Sequence, residues 1–277
     1  MTNKALLLSD YLQATGVQLC CGVDPDPSEL RKAGFDYAQP ECVRRWTALL
    51  LKIAIKHTKV FKLQKAFFDL LPEGHSLLAH TISCIHDAGA FAILDAKVGD
   101  TSNTMRAYWR FADSIDADFL TVTPYFGPEL WESQFSNSCS PAIITRSSNL
   151  GATSFQDLQT YDGRRVWEVV LGSVVNSERR DMLVVFSSRS NSDIRNFAAI
   201  LDGKFPVLFG GFGYQGVQAK DVNGVFSAGR YPLPIFNSSR ALTFPHHDGT
   251  YLEDYANALE RSFAQAIRLT KEGGMTK

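Results

Sequence analysis

The sequence has almost no surplus charge: 28 Lys and Arg against 29 Asp and Glu leave a net charge of -1 at pH 7. That balance gives no basic field for nucleic acid and no basic face for a membrane surface, so any phosphate must be met by a few local groups. No run of about 18 apolar residues exists, and no membrane span is predicted. No C-x-x-C pair occurs among Cys20, Cys21, Cys42, Cys84 and Cys139, and the adjacent Cys20 and Cys21 cannot both face one metal. Reduced thiols in a cytoplasmic protein are expected. Residues 1–16 carry Lys4 and Asp10 around a short apolar stretch, which makes a poor secretion signal and reads as an N-terminal extension or helix. Pro/Ser-rich linkers, low-complexity tracts and repeats are also absent. A chain of 277 residues, 45% hydrophobic, is therefore expected to form one domain over 1–277 and to bury its core without disulfides.

What is present is an alternation. Short apolar runs lie at 17–23, 59–63, 91–94, 119–122, 142–145, 182–186, 206–209 and 234–236. Several are apolar almost throughout, as suits strands of a parallel sheet covered on both faces. Helical patterns fall between them. In 42–55, Cys42, Trp46, Leu49, Leu50 and Ile53 share a face, and Leu77, Leu78, Ile82 and Ile85 share another. Residues 105–112 also read as a helix, and 251–271 as an amphipathic C-terminal helix with Tyr255, Leu259, Phe263, Ala266 and Ile267 on its apolar side. Eight strand–helix units predict an α/β fold, a closed (β/α)8 TIM barrel, with an open doubly wound sheet as the alternative. Residues 147–164 and 218–232 read as loops.

Catalytic residues of such barrels sit just past the C-terminal ends of strands. The third run ends in Asp95-Ala96-Lys97-Val98-Gly99-Asp100. Asp95 and Lys97, two residues apart, would both face the mouth, with Asp100 on the loop behind. Lys62 interrupts the second run. Together these residues are either an ion-pair cluster closing the barrel or an alternating array of two ammonium groups and two carboxylates. Such an array suits decarboxylation, because carboxylates repel a substrate carboxylate while a lysine stabilises and protonates the carbanion. Asp24, after the first run, can accept from sugar hydroxyls or cap a turn. Glycines at 210, 211, 213 and 216 follow the seventh run and Arg240 follows the eighth, where barrels commonly hold phosphate. The G-x-G-x-x-G at 211–216 lies too late in the chain for a dinucleotide fold. Ser148 and Asn149 suit a planar imide ring or a cap. His246-His247-Asp248 lacks the helical spacing of a metal site and reads as solvated loop.

These segments, from about residue 19 to 242, resemble orotidine 5′-phosphate decarboxylase of the longer, second type found mainly in bacteria. Cys21-Gly22-Val23-Asp24-Pro25, Lys62 with Ala66-Phe67-Phe68, and Asp95-Ala96-Lys97-Val98-Gly99-Asp100 with Thr104 follow the family's order. Thr123-Pro124-Tyr125-Phe126-Gly127, Ser147-Ser148-Asn149, Gly211 to Gly216 and Ser239-Arg240 continue it. The resemblance implies metal-free and cofactor-free decarboxylation of orotidine 5′-phosphate to UMP in pyrimidine biosynthesis. It implies a catalytic tetrad of Lys62, Asp95, Lys97 and Asp100, with Lys97 protonating C6. Asp24 and Lys62 would hold the ribose, Ser148 the pyrimidine, and Gln215 and Arg240 the phosphate, under a closing loop at 218–232. It further implies a homodimer in which Asp100 and Thr104 enter the partner's site. The chain departs from the family pattern at Leu63, Gln64, Thr101, Ser187-Ser188-Arg189 and Gly210. A paralogue acting on a modified nucleotide, a magnesium-dependent sugar-phosphate enzyme and a non-catalytic nucleotide-binding barrel are the rival readings. Lys62 disfavours the magnesium enzyme, because an ammonium there repels the ion.

Overall fold

A computed structural model describes residues 3–132, 136, 138–212, 218–229, 231–246 and 252–272. Eight strands form a closed parallel barrel in sequence order: β1 Leu19–Val23, β2 Val60–Gln64, β3 Phe91–Val98, β4 Phe119–Val122, β5 Ser140–Ile144, β6 Leu183–Phe186, β7 Val207–Phe209 and β8 Ile235–Ser238. β1 pairs with β8 and closes the ring. The expected barrel is the one observed, and the open sheet is excluded.

Alternation along each strand sorts its side chains. One inward layer comprises Cys20, Val60, Ile93, Phe119, Ala142, Leu183, Leu208 and Ile235, one from every strand. Ala5, Leu8 and Leu12 of the helix Lys4–Thr15 pack against that layer and plug the N-terminal end of the barrel. Asn3 caps this helix, and Gly16 ends it with a left-handed φ of 64°. Burying a leucine of this kind contributes roughly 1.5–3 kcal/mol. Lys4 fixes the plug by bonding Asp118 at 2.6 Å. Two residues further along the strands, the same inward face carries Gly22, Lys62, Asp95, Thr121, Ile144, Val185, Gly210 and Asn237. The closed end of the barrel is thus apolar and the open end is where polar groups enter.

Outside the strands, helices Pro40–Ala54, Gly74–Asp87, Ser102–Ser114, Val166–Asn176, Asn191–Leu201 and Leu252–Lys271 contribute to the main core. The C-terminal helix buries Tyr255, Leu259, Phe263 and Ala266 as expected. Tyr255 accepts from Trp46 Nε1 at 2.8 Å and donates to the Thr243 carbonyl. That ties the segment after β8 to two helices. Among the described residues, no helix is long and apolar enough to cross a membrane.

Two expectations need correction. Residues 218–232 are not a loop, since Ala219–Ala228 is a helix burying Ala219, Val222, Asn223 and Phe226. Its apolar face is narrow and broken by Asn223, which accepts from Gln18 at 2.7 Å and donates to the Thr270 carbonyl at 2.7 Å. A polar residue used as a buried hydrogen-bonding hub hides the helical period. Strand β3, expected to end at 94, continues to Val98, with a register slip against β4 between Leu94 and Val98.

Candidate active site

The inward layer at the C-terminal end of the barrel forms a cavity of about 320 Å³ that includes Asp24, Lys62, Asp95, Lys97, Thr121, Ser148 and Asn237. Asp95 is its centre. Lys62 Nζ donates to Asp95 Oδ2 and Lys97 Nζ to Asp95 Oδ1, both at 2.6 Å. Gln64 adds a bond to Oδ2 at 3.2 Å and Thr121 one to Oδ1 at 3.1 Å. The carboxylate is therefore saturated with donors and only 5% exposed. Burial alone would raise its pKa, but the charges of Lys62 and Lys97 outweigh burial and hold it at about 2. For Lys62, burial would lower the pKa, but Asp95 and Asp24 outweigh it and hold the ammonium at about 12. Charge at this depth is costly unless paired, and here each charge justifies its neighbour. Burial pushes the thiol of Cys20 to about 12, so it is no nucleophile here.

The two lysines differ. The Lys62 side chain is 10% exposed, that of Lys97 51%. Lys97 has a left-handed φ of 49°, so it is not a regular strand residue. The backbone turns there, and the ammonium comes back to Asp95 from the rim. Lys97 is the accessible cation and Lys62 the buried one.

Asp24 stands just past β1, and its Oδ1 is buried with no partner among the described residues. Asn237 Oδ1 on β8 is in the same condition. Buried acceptors are normally paired, so orphans in a cavity wall are a ligand-site signal. Both residues also line a neighbouring cavity of about 310 Å³ with Gly211, Ser239 and Arg240. The two cavities therefore meet between the lysine array and Arg240, which is the only cation among the described residues lining the second one. The close approach of β1 to this segment needs Gly22, because a Cβ there would meet Ser239 Oγ at 1.9 Å. Gly211 has a φ of 79°, which a residue with a side chain rarely adopts.

Ser148 also lines the cavity that holds Asp95. Arg146 holds its loop, gripping Asp157 at 3.0 and 2.9 Å and the Ser187 carbonyl at 2.6 Å. Asp100 does not line the cavity with the other three charges, and its Oδ1 accepts from the Thr101 N–H at 2.6 Å. Thr104 lies on the first turn of the helix Ser102–Ser114, also away from the cavity. Gln215 lies outside the described residues, as do His247 and Asp248. Thr121 was missed by sequence reading. Its signal was a lone hydroxyl in the apolar run 119–122, the same kind of interruption that marked Lys62.

Fold and site together define a (β/α)8 barrel that gathers two lysines around one carboxylate at its C-terminal mouth. Residues 18–244 match the model of the orotidine 5′-phosphate decarboxylase / HUMPS family, and the chain belongs to that family. An orotidine 5′-phosphate decarboxylase of Ralstonia pickettii is 32% identical over 257 residues, covering 88% of this chain and 89% of that one. One from Haloarcula marismortui is 28% identical over 276 residues, 96% of each chain. A crystal structure from Streptomyces avermitilis, of a protein provisionally named orotidine 5′-phosphate decarboxylase, superposes with a TM-score of 0.76 at 26% identity. It covers 98% of this chain and 96% of its own.

Proposed function

We propose that this carboxy-lyase converts orotidine 5′-phosphate to UMP and carbon dioxide, with Lys97 as the proton donor. The observation that carries this reading is the bridging of Asp95 by two ammonium groups, each at 2.6 Å, inside one cavity. Asp95 sets negative charge against the substrate carboxylate, a repulsion relieved as CO₂ leaves. The bond between C6 and the carboxyl carbon breaks, its electron pair stays on C6, and Lys97 Nζ stabilises that charge and delivers its proton. Lys62 and Asp24 hold the ribose hydroxyls, and the unpaired Asp24 oxygen supports that role. Ser148 reads the pyrimidine edge, and Arg240, with Gln215, holds the phosphate. In a homodimer, Asp100 and Thr104 complete the partner's site, a reading supported by their place outside this chain's own cavity. Five unpaired cysteines suit a reducing cytoplasm.

The test is turnover of orotidine 5′-phosphate, followed spectrophotometrically with and without a chelator, by the wild type and by Arg240→Ala. The wild type should turn over equally with chelator. Arg240→Ala should raise KM by roughly 10- to 100-fold, the worth of one charge-assisted phosphate contact, with a smaller loss in kcat. No turnover by the wild type would sink the function, and an unchanged KM would sink the phosphate assignment.

A further inference from the structure

Strand β4 places one hydroxyl in the barrel mouth, that of Thr121, and it touches both halves of the lysine–aspartate array. Thr121 is 1% exposed. Its Oγ1 accepts the backbone N–H of Lys97 at 2.8 Å. The hydroxyl proton is then free to be donated, and Asp95 Oδ1 at 3.1 Å is nearer than the Leu94 carbonyl at 3.4 Å. The Lys97 N–H belongs to the residue with left-handed φ, at the point where β3 slips its register against β4. A side chain on β4 thus supplies an acceptor at the irregularity. An unpaired N–H at this part-buried position would favour relaxation of the turn.

We propose that Thr121 is a positioning residue for the decarboxylation proposed above. One hydroxyl pins the backbone that carries the proton donor and, at the same time, one oxygen of the carboxylate facing it. The separation of Lys97 and Asp95, both on β3, is thereby set by the neighbouring strand β4 rather than by their own attraction. Without it, the carboxylate keeps Lys62 and Gln64 on its other oxygen and stays in place. The Lys97 turn loses its anchor, and the ammonium samples positions away from the reacting carbon. Substrate binding through Arg240, Ser148 and Asp24 is untouched. The expected signature is a loss in kcat with KM preserved.

Thr121→Val keeps the shape of the side chain and removes both bonds, whereas Thr121→Ser keeps the hydroxyl. Two readouts are taken: turnover of orotidine 5′-phosphate, and amide hydrogen exchange at Lys97. Thr121→Val should lose about 10- to 100-fold in kcat, with KM within about threefold of wild type. Exchange at Lys97 should rise at least about tenfold. Thr121→Ser should restore both to within about threefold of wild type. Wild-type kcat in Thr121→Val, an equal loss in Thr121→Ser, or a raised KM at constant kcat would each overturn the assignment. Should Thr121→Val fold poorly by circular dichroism, Thr121→Ala is read by the same criteria. A wild type that turns nothing over defeats the function reading instead, and the exchange rate at Lys97 then decides Thr121 alone.

Discussion

Lys97→Ala is expected to cut kcat by on the order of 10⁴-fold while the protein stays folded. The size of the effect follows from the two tasks one ammonium performs. Positioned proton transfer typically supplies about 10²–10⁴-fold. Stabilising charge as it develops in a water-poor site supplies about 10²–10³-fold more, and the two overlap because the same group does both. The fold should survive because the Lys97 side chain is half exposed and Asp95 keeps three other donors, Lys62, Gln64 and Thr121. A half-exposed ion pair is worth at most about 1 kcal/mol to stability. Circular dichroism and thermal melting check the second half, steady-state kinetics the first. Wild-type-like turnover would exclude Lys97 as the donor.

Asp95→Asn should damage both activity and stability, which distinguishes it from Lys97→Ala. Among the described residues, the carboxylate is the one group that neutralises both lysines at hydrogen-bonding distance. Its loss leaves the buried Lys62 ammonium with the charge of Asp24 to offset its burial. Breaking a buried pair by removing one partner costs about 3–5 kcal/mol, and Asn retains an acceptor, so the lower end applies. That corresponds to a fall in Tm on the order of 10 °C. The loss in kcat should be about 10³-fold. The pH dependence has a definite sign. Asp95 has its pKa depressed from 3.8 to about 2, so its contribution is fully present above pH 3.8 and is lost as pH falls through about 2. The stability gap between wild type and variant should therefore be constant near neutrality and close only on strong acidification. A gap that widened towards acid would contradict the pairing.

The legible parts of the sequence were those in which one residue violates its surroundings. Eight apolar runs became eight strands because inward and outward faces of a barrel strand are both dry, leaving little polar residue to confuse the pattern. Lys62, Asp95 and Lys97 stood out because a charge at such a position is costly without a partner. Thr121 did not stand out, since threonine is an ordinary strand residue and its hydroxyl shows its use only beside Asp95. The turn at Lys97 was illegible for a different reason: lysine does not favour left-handed φ, so tertiary bonds and not local preference hold it there. The helix Ala219–Ala228 was hidden by Asn223, whose partners lie far away in sequence. Arg146 carries no signal of its own in the sequence, although it is the clasp of the Ser148 loop.

A crystal structure of the wild-type protein with UMP bound tests the central claim most directly. The expected result is UMP with its ring in the Asp95 cavity, Lys97 Nζ roughly 3–3.5 Å from C6, and Asp95 still bridging Lys97 to Lys62. A ring bound elsewhere, or Lys97 turned out to solvent with UMP in place, would contradict it.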